Sequence, residues 1–296
     1  MTTVTGGSPV PGGHTAEHPP EAGDAFCRLL LGETMVSSGG YWEDGEELAG
    51  TLDEAQERKL DRFVELAGAG GARRVLDLGC GWGTLLNRLT VVHGVEHAVG
   101  LTHSPLQARF AAGFGNPRIS ARVEDWQDHV PDGPYDAAFG INTLEQVVPA
   151  GAARDERAAR YRAFFTTVGA ALRPGARLVL HILTAQVPRA DDRGPAADLA
   201  FLRRAGHPFP TGHIPRLHEV VQGADGSFDV LDVVDEYASY ARACRAWLQR
   251  LARCRDVAVV LAGEDVVARY ERGLGILACA LEDRILCNVR VTAVRR

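Results

Sequence analysis

A short apolar strand that runs directly into three alternating glycines constrains the fold of this chain more than any other feature. Residues 74–78 read Arg-Val-Leu-Asp-Leu, and Gly79, Gly81 and Gly83 follow before a helical pattern over 84–92. Glycine lets the backbone approach a ligand closely, and the helix after it begins with unpaired N–H groups. The segment therefore predicts a ligand-binding loop at the carboxyl edge of a parallel sheet.

The glycine spacing distinguishes this loop from a dinucleotide site. Gly79, Gly81 and Gly83 follow the pattern Gly-x-Gly-x-Gly, whereas the dinucleotide fingerprint is Gly-x-Gly-x-x-Gly, with a third glycine for close helix packing. Asp77 also lies inside the strand, two residues before the first glycine. The pattern favours a ligand with an amino-acid tail and no phosphate, and it argues against a nicotinamide dehydrogenase.

Strand and helix patterns alternate through the rest of the chain. Predicted strands cover 97–101, 118–123, 135–141, 177–184, 228–234 and 286–294, and predicted helices cover 52–67, 105–113, 154–172, 238–253 and 264–280. Repeated strand–helix units predict an α/β fold, in which helices cover both faces of a mostly parallel sheet.

Two segments fall outside this alternation. Residues 1–24 are rich in glycine and proline and nearly free of apolar side chains, which predicts a flexible N-terminal tail before one domain at 25–296. Residues 185–225 contain five prolines. A long irregular insertion in a compact domain is typical of a lid or a substrate loop.

Composition narrows the classes of partner. The net charge of −6 argues against a protein that grips a phosphate backbone, so we expect no nucleic-acid partner. No apolar run approaches the ~20 residues that span a bilayer, so we expect no integral membrane segment. The six cysteines form no Cys-x-x-Cys pair, which predicts no metal site and reduced thiols in a cytoplasmic protein. Lys59 is the one lysine, and it belongs to no predicted site.

The glycine loop and several shorter segments resemble a known enzyme family. VLDLGCGWG over 75–83 resembles motif I of class I S-adenosylmethionine-dependent methyltransferases. GLTHSPLQ over 100–107 and FPTGHIP over 209–215 resemble the cyclopropane-fatty-acid synthase and mycolic-acid cyclopropane synthase family more narrowly. The resemblance implies a Rossmann-like class I methyltransferase fold with a seven-stranded sheet, S-adenosylmethionine (SAM) as the cofactor and a small-molecule acceptor.

The same resemblance implies a set of cofactor-binding residues. Gly79 and Gly81 would contact the methionine end, Asp77 would order the loop, and Ser38 would close over the cofactor from the N-terminal segment. The implied nucleoside residues are Gln107 for the ribose hydroxyls, Thr102 and His103 against the nucleoside, Asp125 and Trp126 beside the adenine, and Ile141 on the pocket floor. Two alternatives stay open: Trp126 as an ordinary core aromatic, and Gln107 as a solvated helix residue.

The resemblance also implies a catalytic centre. In the family, a glutamate, a histidine, a tyrosine and a cysteine-containing loop hold a bound bicarbonate. Glu145 in NTLEQ, His181 in LVLHILT and Tyr240 in YARACRAW match the first three positions. The loop departs from the family, because Gly39 stands in place of the cysteine. This and nearby changes favour an acceptor smaller than a lipid chain.

We therefore expect a SAM-dependent C-methyltransferase of bacterial secondary metabolism that acts on an alkene or an electron-rich ring such as indole. Glu145, His181 and Tyr240 would stabilise the cation and handle its proton, directly or through bicarbonate. Three alternatives stay open: cyclopropanation of lipid acyl chains, N-methylation of a small amine, and a non-catalytic Rossmann-like binding module. The sequence does not predict the oligomeric state.

Overall fold

The computed structural model describes residues 23–42, 50–186, 198, 200–202, 204, 209 and 211–296. The strands in these residues are β1 (Arg74–Leu78), β2 (His97–Thr102), β3 (Ile119–Val123), β4 (Tyr135–Ile141), β5 (Leu172–Ala185), β6 (Phe228–Asp235) and β7 (Leu286–Arg295). The helices are α1 (Asp24–Leu31), α2 (Leu52–Ala67), α3 (Thr84–Val91), α4 (Pro105–Ala112), α5 (Leu144–Val147), α6 (Arg154–Ala171), α7 (Leu217–Ala224), α8 (Tyr237–Arg253), α9 (Arg255–Ala262) and α10 (Glu264–Glu282).

One seven-stranded sheet contains these strands, in the order β3-β2-β1-β4-β5-β7-β6. β1 pairs in parallel with β2 and β4, and parallel pairing continues outward to β3 and β5. β7 pairs antiparallel with both β5 and β6. The predicted α/β fold with a mostly parallel seven-stranded sheet is confirmed.

The position of the site follows from the strand order. From β1 the chain winds outward to β2 and β3, and then it returns to β4 on the other side of β1. At such a switch point, a ligand crevice forms outside the carboxyl ends of the strands. Gly79 follows β1 and Asn142 follows β4, so these two residues begin the two sides of the crevice.

Three apolar clusters join the helices to the sheet. Phe63 on α2 belongs to the cluster on one face, and Phe164 on α6 belongs to the cluster on the other face. In the third cluster, Trp247 on α8 packs with residues of α1 and α10 and with Trp82 of the glycine loop. Burial of each large apolar side chain contributes about 1.5–3 kcal/mol, so this third cluster fixes a helical layer beside the crevice.

The structure differs from the predictions mainly between regular elements. α1 begins at Asp24, and residues 1–22 of the predicted tail lie outside the described residues. The end of the predicted insertion is helical rather than irregular, because Val220 on α7 is buried in the same cluster as α6. Residues 187–197 and 205–208 of that insertion lie outside the described residues. α9 matches no predicted element, because its exposed Val257 and Val260 break the apolar periodicity.

Candidate active site

The glycine loop between β1 and α3 has a backbone that favours glycine. φ is +77° at Gly79, +52° at Gly81 and +79° at Gly83. A Cβ on Gly79 would lie 2.5 Å from Thr143 Oγ1, whereas a Cβ on Gly81 would meet nothing within 4 Å. Gly79 therefore lets the loop pack against the turn after β4, and Gly81 borders open space where a ligand can approach the backbone.

Asp77 is buried in β1 just before this loop. Its side chain is 3% exposed, and its Oδ1 has no hydrogen-bond partner among the described residues. Burial raises the pKa of Asp77 to about 7, against the opposing effect of the Lys59 charge. An unpaired buried carboxyl oxygen is costly, so this position fits a ligand that supplies a hydrogen-bond donor.

The predicted ribose residue, Gln107, lies in the first turn of α4 and is bonded back to the end of β2. Thr102 Oγ1 donates a hydrogen bond to Gln107 Oε1 at 2.8 Å, and the backbone N–H of Gln107 donates to Ser104 Oγ at 3.2 Å. Thr102 and Gln107 are both buried. The alternative interpretation of Gln107 as a solvated helix residue is therefore wrong.

The other predicted nucleoside residues differ in exposure. The His103 side chain is 73% exposed, with its Nε2 at 3.5 Å from Asp125 Oδ2. Asp125 Oδ1 accepts a hydrogen bond from the backbone N–H of Gln127 at 2.8 Å. Trp126 is half-buried, and its ring packs edge-on to Phe164 with 5.2 Å between the centroids. Trp126 is thus partly a core aromatic, and its exposed part is compatible with its predicted place beside the adenine.

Glu145 lies on α5, the short helix after β4. It is 1% exposed, and its Oε1 accepts a hydrogen bond from the backbone N–H of Leu183 at 2.5 Å. Its Oε2 is buried and has no hydrogen-bond partner among the described residues. Burial raises the pKa of Glu145 to about 7, and the hydrogen bond from Leu183 offsets only part of this effect. A fixed carboxyl group with one unpaired oxygen is well suited to accept a proton.

His181 lies on β5, in register with Ile141 on β4. Its Nε2 is 2.5 Å from Asn288 Nδ2 and 3.3 Å from Glu236 Oε2, and Phe63 packs edge-on to its ring. Burial lowers the pKa of His181, so the neutral ring is favoured. Nδ1 of the same ring is buried and has no hydrogen-bond partner among the described residues.

Tyr240 on α8 faces the end of β4. Its buried hydroxyl accepts a hydrogen bond from Asn142 Nδ2 at 3.1 Å, and Asn142 has a left-handed backbone with φ of +53°. Burial raises the pKa of Tyr240 well above its ordinary value, and the charge of Glu145 adds to this effect. Asn142 is a site residue that the sequence analysis missed; its signal was an asparagine directly after a predicted strand, a residue type that tolerates this backbone.

The segment before α2 closes the other side of the site. A Cβ on Gly39 would lie 3.3 Å from both the Cα and the Cβ of Tyr240. A cysteine at this position would need α8 or the segment to shift by a few tenths of an ångström. Gly39 therefore permits a close approach between its backbone and α8.

Ser38 is buried on the same segment, and two polar residues of α2 hold it there. Its Oγ accepts a hydrogen bond from Lys59 Nζ at 2.5 Å. Gln56 Nε2 donates to the carbonyl of Val36 at 2.8 Å and to that of Ser38 at 3.3 Å. Lys59 and Gln56 were not predicted as site residues. The available signal was two polar residues on the apolar face of an amphipathic helix.

Other features of the described residues bear on the class of site. No group of three or more His, Cys, Asp or Glu side chains in this part of the chain could hold a metal ion. The six cysteines, all of which the structure describes, are free thiols. No described helix has both the length and the apolar character needed to cross a bilayer.

Comparison with known proteins places the chain among enzymes. The profile described as mycolic acid cyclopropane synthetase matches residues 14–288. The chain belongs to this family. Cyclopropane mycolic acid synthase 1 of Mycobacterium tuberculosis is 30% identical over 263 residues, which cover 85% of this chain and 86% of that protein. The S-adenosylmethionine-dependent methyltransferase UmaA of the same species is 27% identical over 263 residues, which cover 84% and 86%.

Solved structures of the mycolic acid cyclopropane synthetase family share the fold. CmaA1 complexed with S-adenosylhomocysteine (SAH) and CTAB has a TM-score of 0.80 at 27% identity, covering 93% of this chain and 95% of that chain. MmaA2 from Mycobacterium tuberculosis has a TM-score of 0.80 at 25% identity, covering 92% and 94%. This family member is a SAM-dependent methyltransferase, so the non-catalytic module and the nicotinamide dehydrogenase are wrong.

The residues of the crevice fit SAM. Open space borders Gly81, and Asp77 Oδ1 is buried without a partner among the described residues. Gln107 at the start of α4 is held by a hydrogen bond from Thr102 at the end of β2. Asp77, Gly79 and Gly81 would hold the amino-acid end, and Gln107 would hold the ribose. These individual roles stay predictions.

Proposed function

We propose that this methyltransferase acts in the cytoplasm and methylates an electron-rich carbon of a small apolar acceptor, an alkene or an aromatic ring such as indole. The observation that carries the proposal is a short aromatic cavity next to Tyr240. The charge of Glu145 acts on the pKa of Tyr240, so a buried carboxyl group lies near the same cavity. The setting is one of bacterial secondary metabolism.

Aromatic side chains limit the length of this cavity. Tyr240, Trp247 and Phe209 line it together with Leu30 and Leu277, and the free space between them is about 10 Å³, which is room for about one water molecule. A long acyl chain needs a continuous tunnel of several hundred cubic ångströms, on the order of 300–1,000 Å³ for ordinary ligand sites. Either acceptor would have to displace these walls, and a single aromatic ring requires less displacement than a long acyl chain, which supports a compact acceptor.

Phe209 lines the cavity, and the position of its ring depends on a glycine. A Cβ on Gly273 of α10 would lie 2.3 Å from the Phe209 ring. Tyr270, one turn earlier on the same helix, has its ring centroid 5.9 Å from that of Phe209. Phe209 is thus held against α10, where it forms part of the cavity wall.

The charged and aromatic groups of the site suit attack by carbon. SAM supplies an electrophilic methyl group when it is bound. The acceptor carbon would form its bond to the methyl group as the methyl–sulfur bond breaks and SAH is left, so the acceptor would carry positive charge, which the neighbouring Trp247 and Tyr240 rings would stabilise. Glu145 Oε2 stabilises the same charge and accepts the proton lost from the acceptor carbon, whose C–H electron pair restores the neutral π-system. His181 and Tyr240 orient the acceptor beside this carboxylate.

Bicarbonate stays a prediction that no observation tests. Glu145 Oε2 and His181 Nδ1 are buried and without partners among the described residues, so two of the implied ligand groups are available. Gly39 offers no thiol and leaves little room beside Tyr240. Direct proton transfer to Glu145 requires no second ligand, and it is the route that we propose.

Cyclopropanation of lipid acyl chains is the second candidate function, because the relatives named above include a cyclopropane mycolic acid synthase. The two candidates separate in one assay of SAH release with three acceptors: indole, tetrahydroisoquinoline and vesicles of dioleoyl phosphatidylglycerol. We expect a new carbon-bound methyl group on indole by NMR. Turnover of the vesicles alone would favour the lipid function, and an N-methyl product alone would contradict carbon methylation.

We expect enlargement of the cavity to shift the preferred acceptor length. Phe209→Ala removes a ring that lines the cavity, whereas Phe201→Ala removes a partly buried ring of the same cluster that does not line it. In a series of 3-alkylindoles, the ratio of kcat/KM for the longer chains to kcat/KM for the shorter chains should rise about 10-fold in Phe209→Ala. This change corresponds to ~1.4 kcal/mol. An unchanged chain-length profile, with normal thermal unfolding, would remove Phe209 from this role.

The proposed proton acceptor also predicts a dependence on pH. Burial raises the pKa of Glu145 to about 7, so the group is protonated, and unable to accept a proton, at lower pH. The kcat for methylation of the acceptor should fall about tenfold for each pH unit below the pKa of Glu145. Because the pKa of Asp77 is also about 7, SAH affinity is measured over the same range to separate binding from chemistry. A flat kcat profile between about pH 5 and 8 would contradict this role. At pH 5, which is ~2 units below the pKa of Glu145, the expected fall in kcat is large enough to measure.

A further inference from the structure

Lys59, the one lysine of the chain, is buried beside the candidate cofactor loop. Its side chain is 0% exposed, although lysine is almost never fully buried without a partner. Methyl transfer itself uses no lysine, and the proposed proton transfer involves Glu145. The burial of Lys59 therefore needs a separate explanation.

The groups around Lys59 belong to both sides of the site. Its Nζ donates a hydrogen bond to Ser38 Oγ at 2.5 Å and lies 5.8 Å from the centroid of the Phe63 ring. The charges of Glu236 and Asp77 favour its protonated form, while burial lowers its pKa to about 7. Lys59 thus places a cation between two buried carboxyl groups and one serine hydroxyl.

The hydrogen bond from Lys59 determines how the Ser38 hydroxyl can act. A lysine side chain has donors and no acceptor when it is charged, so Ser38 Oγ must accept. The hydroxyl hydrogen of Ser38 then points away from Lys59, and no acceptor for it is found among the described residues. Donation from an ammonium group also polarises the hydroxyl and strengthens it as a donor.

The backbone around Ser38 is anchored next to the glycine loop. Thr84, the first residue of α3, donates its hydroxyl to the carbonyl of Thr34. Gln56 holds the carbonyls of Val36 and Ser38 from α2. A ligand at the glycine loop therefore meets a segment whose backbone position is set independently of Lys59.

We propose that Lys59 is a positioning residue that turns the Ser38 hydroxyl into a hydrogen-bond donor for the carboxylate at the amino-acid end of SAM and SAH. That carboxylate would otherwise approach the buried Asp77 carboxyl group just before the glycine loop, which carries a like charge when it is ionised. Lys59 offsets this repulsion and orients the donor. The proposal rests on the predicted place of Ser38 over the cofactor, and it is independent of the acceptor that is methylated.

Two ligands that differ in the amino-acid tail test this role. Lys59→Met and Ser38→Ala are compared with the unchanged protein by calorimetric titration with SAH and with 5′-methylthioadenosine, which lacks the carboxylate. Loss of a charge-assisted hydrogen bond should weaken SAH binding about 10- to 100-fold and 5′-methylthioadenosine binding less than about 2-fold. The double variant should bind SAH no more weakly than the weaker single variant, because both changes remove one coupled interaction.

Gln56→Leu is the matched control on the same helix face. It removes the hydrogen bonds to the backbone of the segment and leaves the Ser38 hydroxyl in place, so we expect both ligands to lose affinity alike. Lys59→Met exchanges a buried charge for an apolar side chain of similar length, a change that folded proteins often tolerate. If it does not fold, Ser38→Ala tests the proposal alone. Equal loss for both ligands, or strictly additive losses in the double variant, would overturn it.

Discussion

Glu145→Gln is expected to lower kcat about 10²- to 10⁴-fold, the usual range for loss of a positioned proton acceptor, while SAH affinity stays within about 2-fold. The amide oxygen of glutamine can still accept the hydrogen bond from the Leu183 backbone, so α5 keeps its position. What disappears is the negative charge on the second oxygen. The measurement is single-turnover methyl transfer with saturating SAM, alongside a titration with SAH.

The control for this substitution is Glu156→Gln. Glu156 is an exposed carboxylate on α6, paired with Arg160 four residues later, and it lies outside the site. Its loss should leave kcat unchanged. If Glu145→Gln retained the full rate with the natural acceptor, proton transfer to Glu145 would be excluded, whereas loss of SAH binding would show that the substitution had disturbed the cofactor site.

Alanine substitutions in the glycine loop are expected to separate folding from cofactor binding. Gly81→Ala places a Cβ in open space. The only expected loss of stability is therefore about 1–2 kcal/mol, the cost of a left-handed backbone at a residue with a side chain. Its SAH affinity should fall about 10- to 100-fold, because an added methyl group in a closely fitted site costs about 1–3 kcal/mol.

Gly79→Ala should lower the stability of the fold more than Gly81→Ala does, even without a ligand. Its Cβ would lie 2.5 Å from Thr143 Oγ1, which donates to the carbonyl of Leu78, so the turn after β4 must shift even without a ligand. We expect a loss of stability about 1–3 kcal/mol greater than for Gly81→Ala. Gly151→Ala, with φ of +83° and no atom near its Cβ, measures the backbone cost alone. Equal thermal unfolding for the Gly79 and Gly81 variants would contradict the assigned contact with Thr143.

The elements that could be predicted from the sequence depend on local patterns. The helix over 52–67 has a Thr51–Glu54 capping box at its start and a left-handed Gly68 at its end, and both bounds agree with the prediction. The apolar strand before Gly79 is buried inside the sheet, between β2 and β4, as its composition indicates. Residues near one another in sequence carry this information.

The contacts that could not be predicted join distant segments. Lys59 bonds to Ser38, which is 21 residues earlier, and the depth of its burial depends on three separate elements around it. The close approach of Gly39 to Tyr240 depends on where α8 packs. A helical lysine is ordinarily a surface residue, so only the packed structure places this one at the site.

The antiparallel strand β7 has a consequence for the order in which the site forms. Asn288 on β7 lies beside His181 although 107 residues separate them, and Arg290 on the same strand bonds to Glu236. β7 enters the sheet between two strands that precede it in the chain. Such long-range pairing forms slowly because loop closure must come first. The environment of His181 is therefore completed late in folding, and an intermediate without β7 would contain the glycine loop before it contained a working catalytic centre.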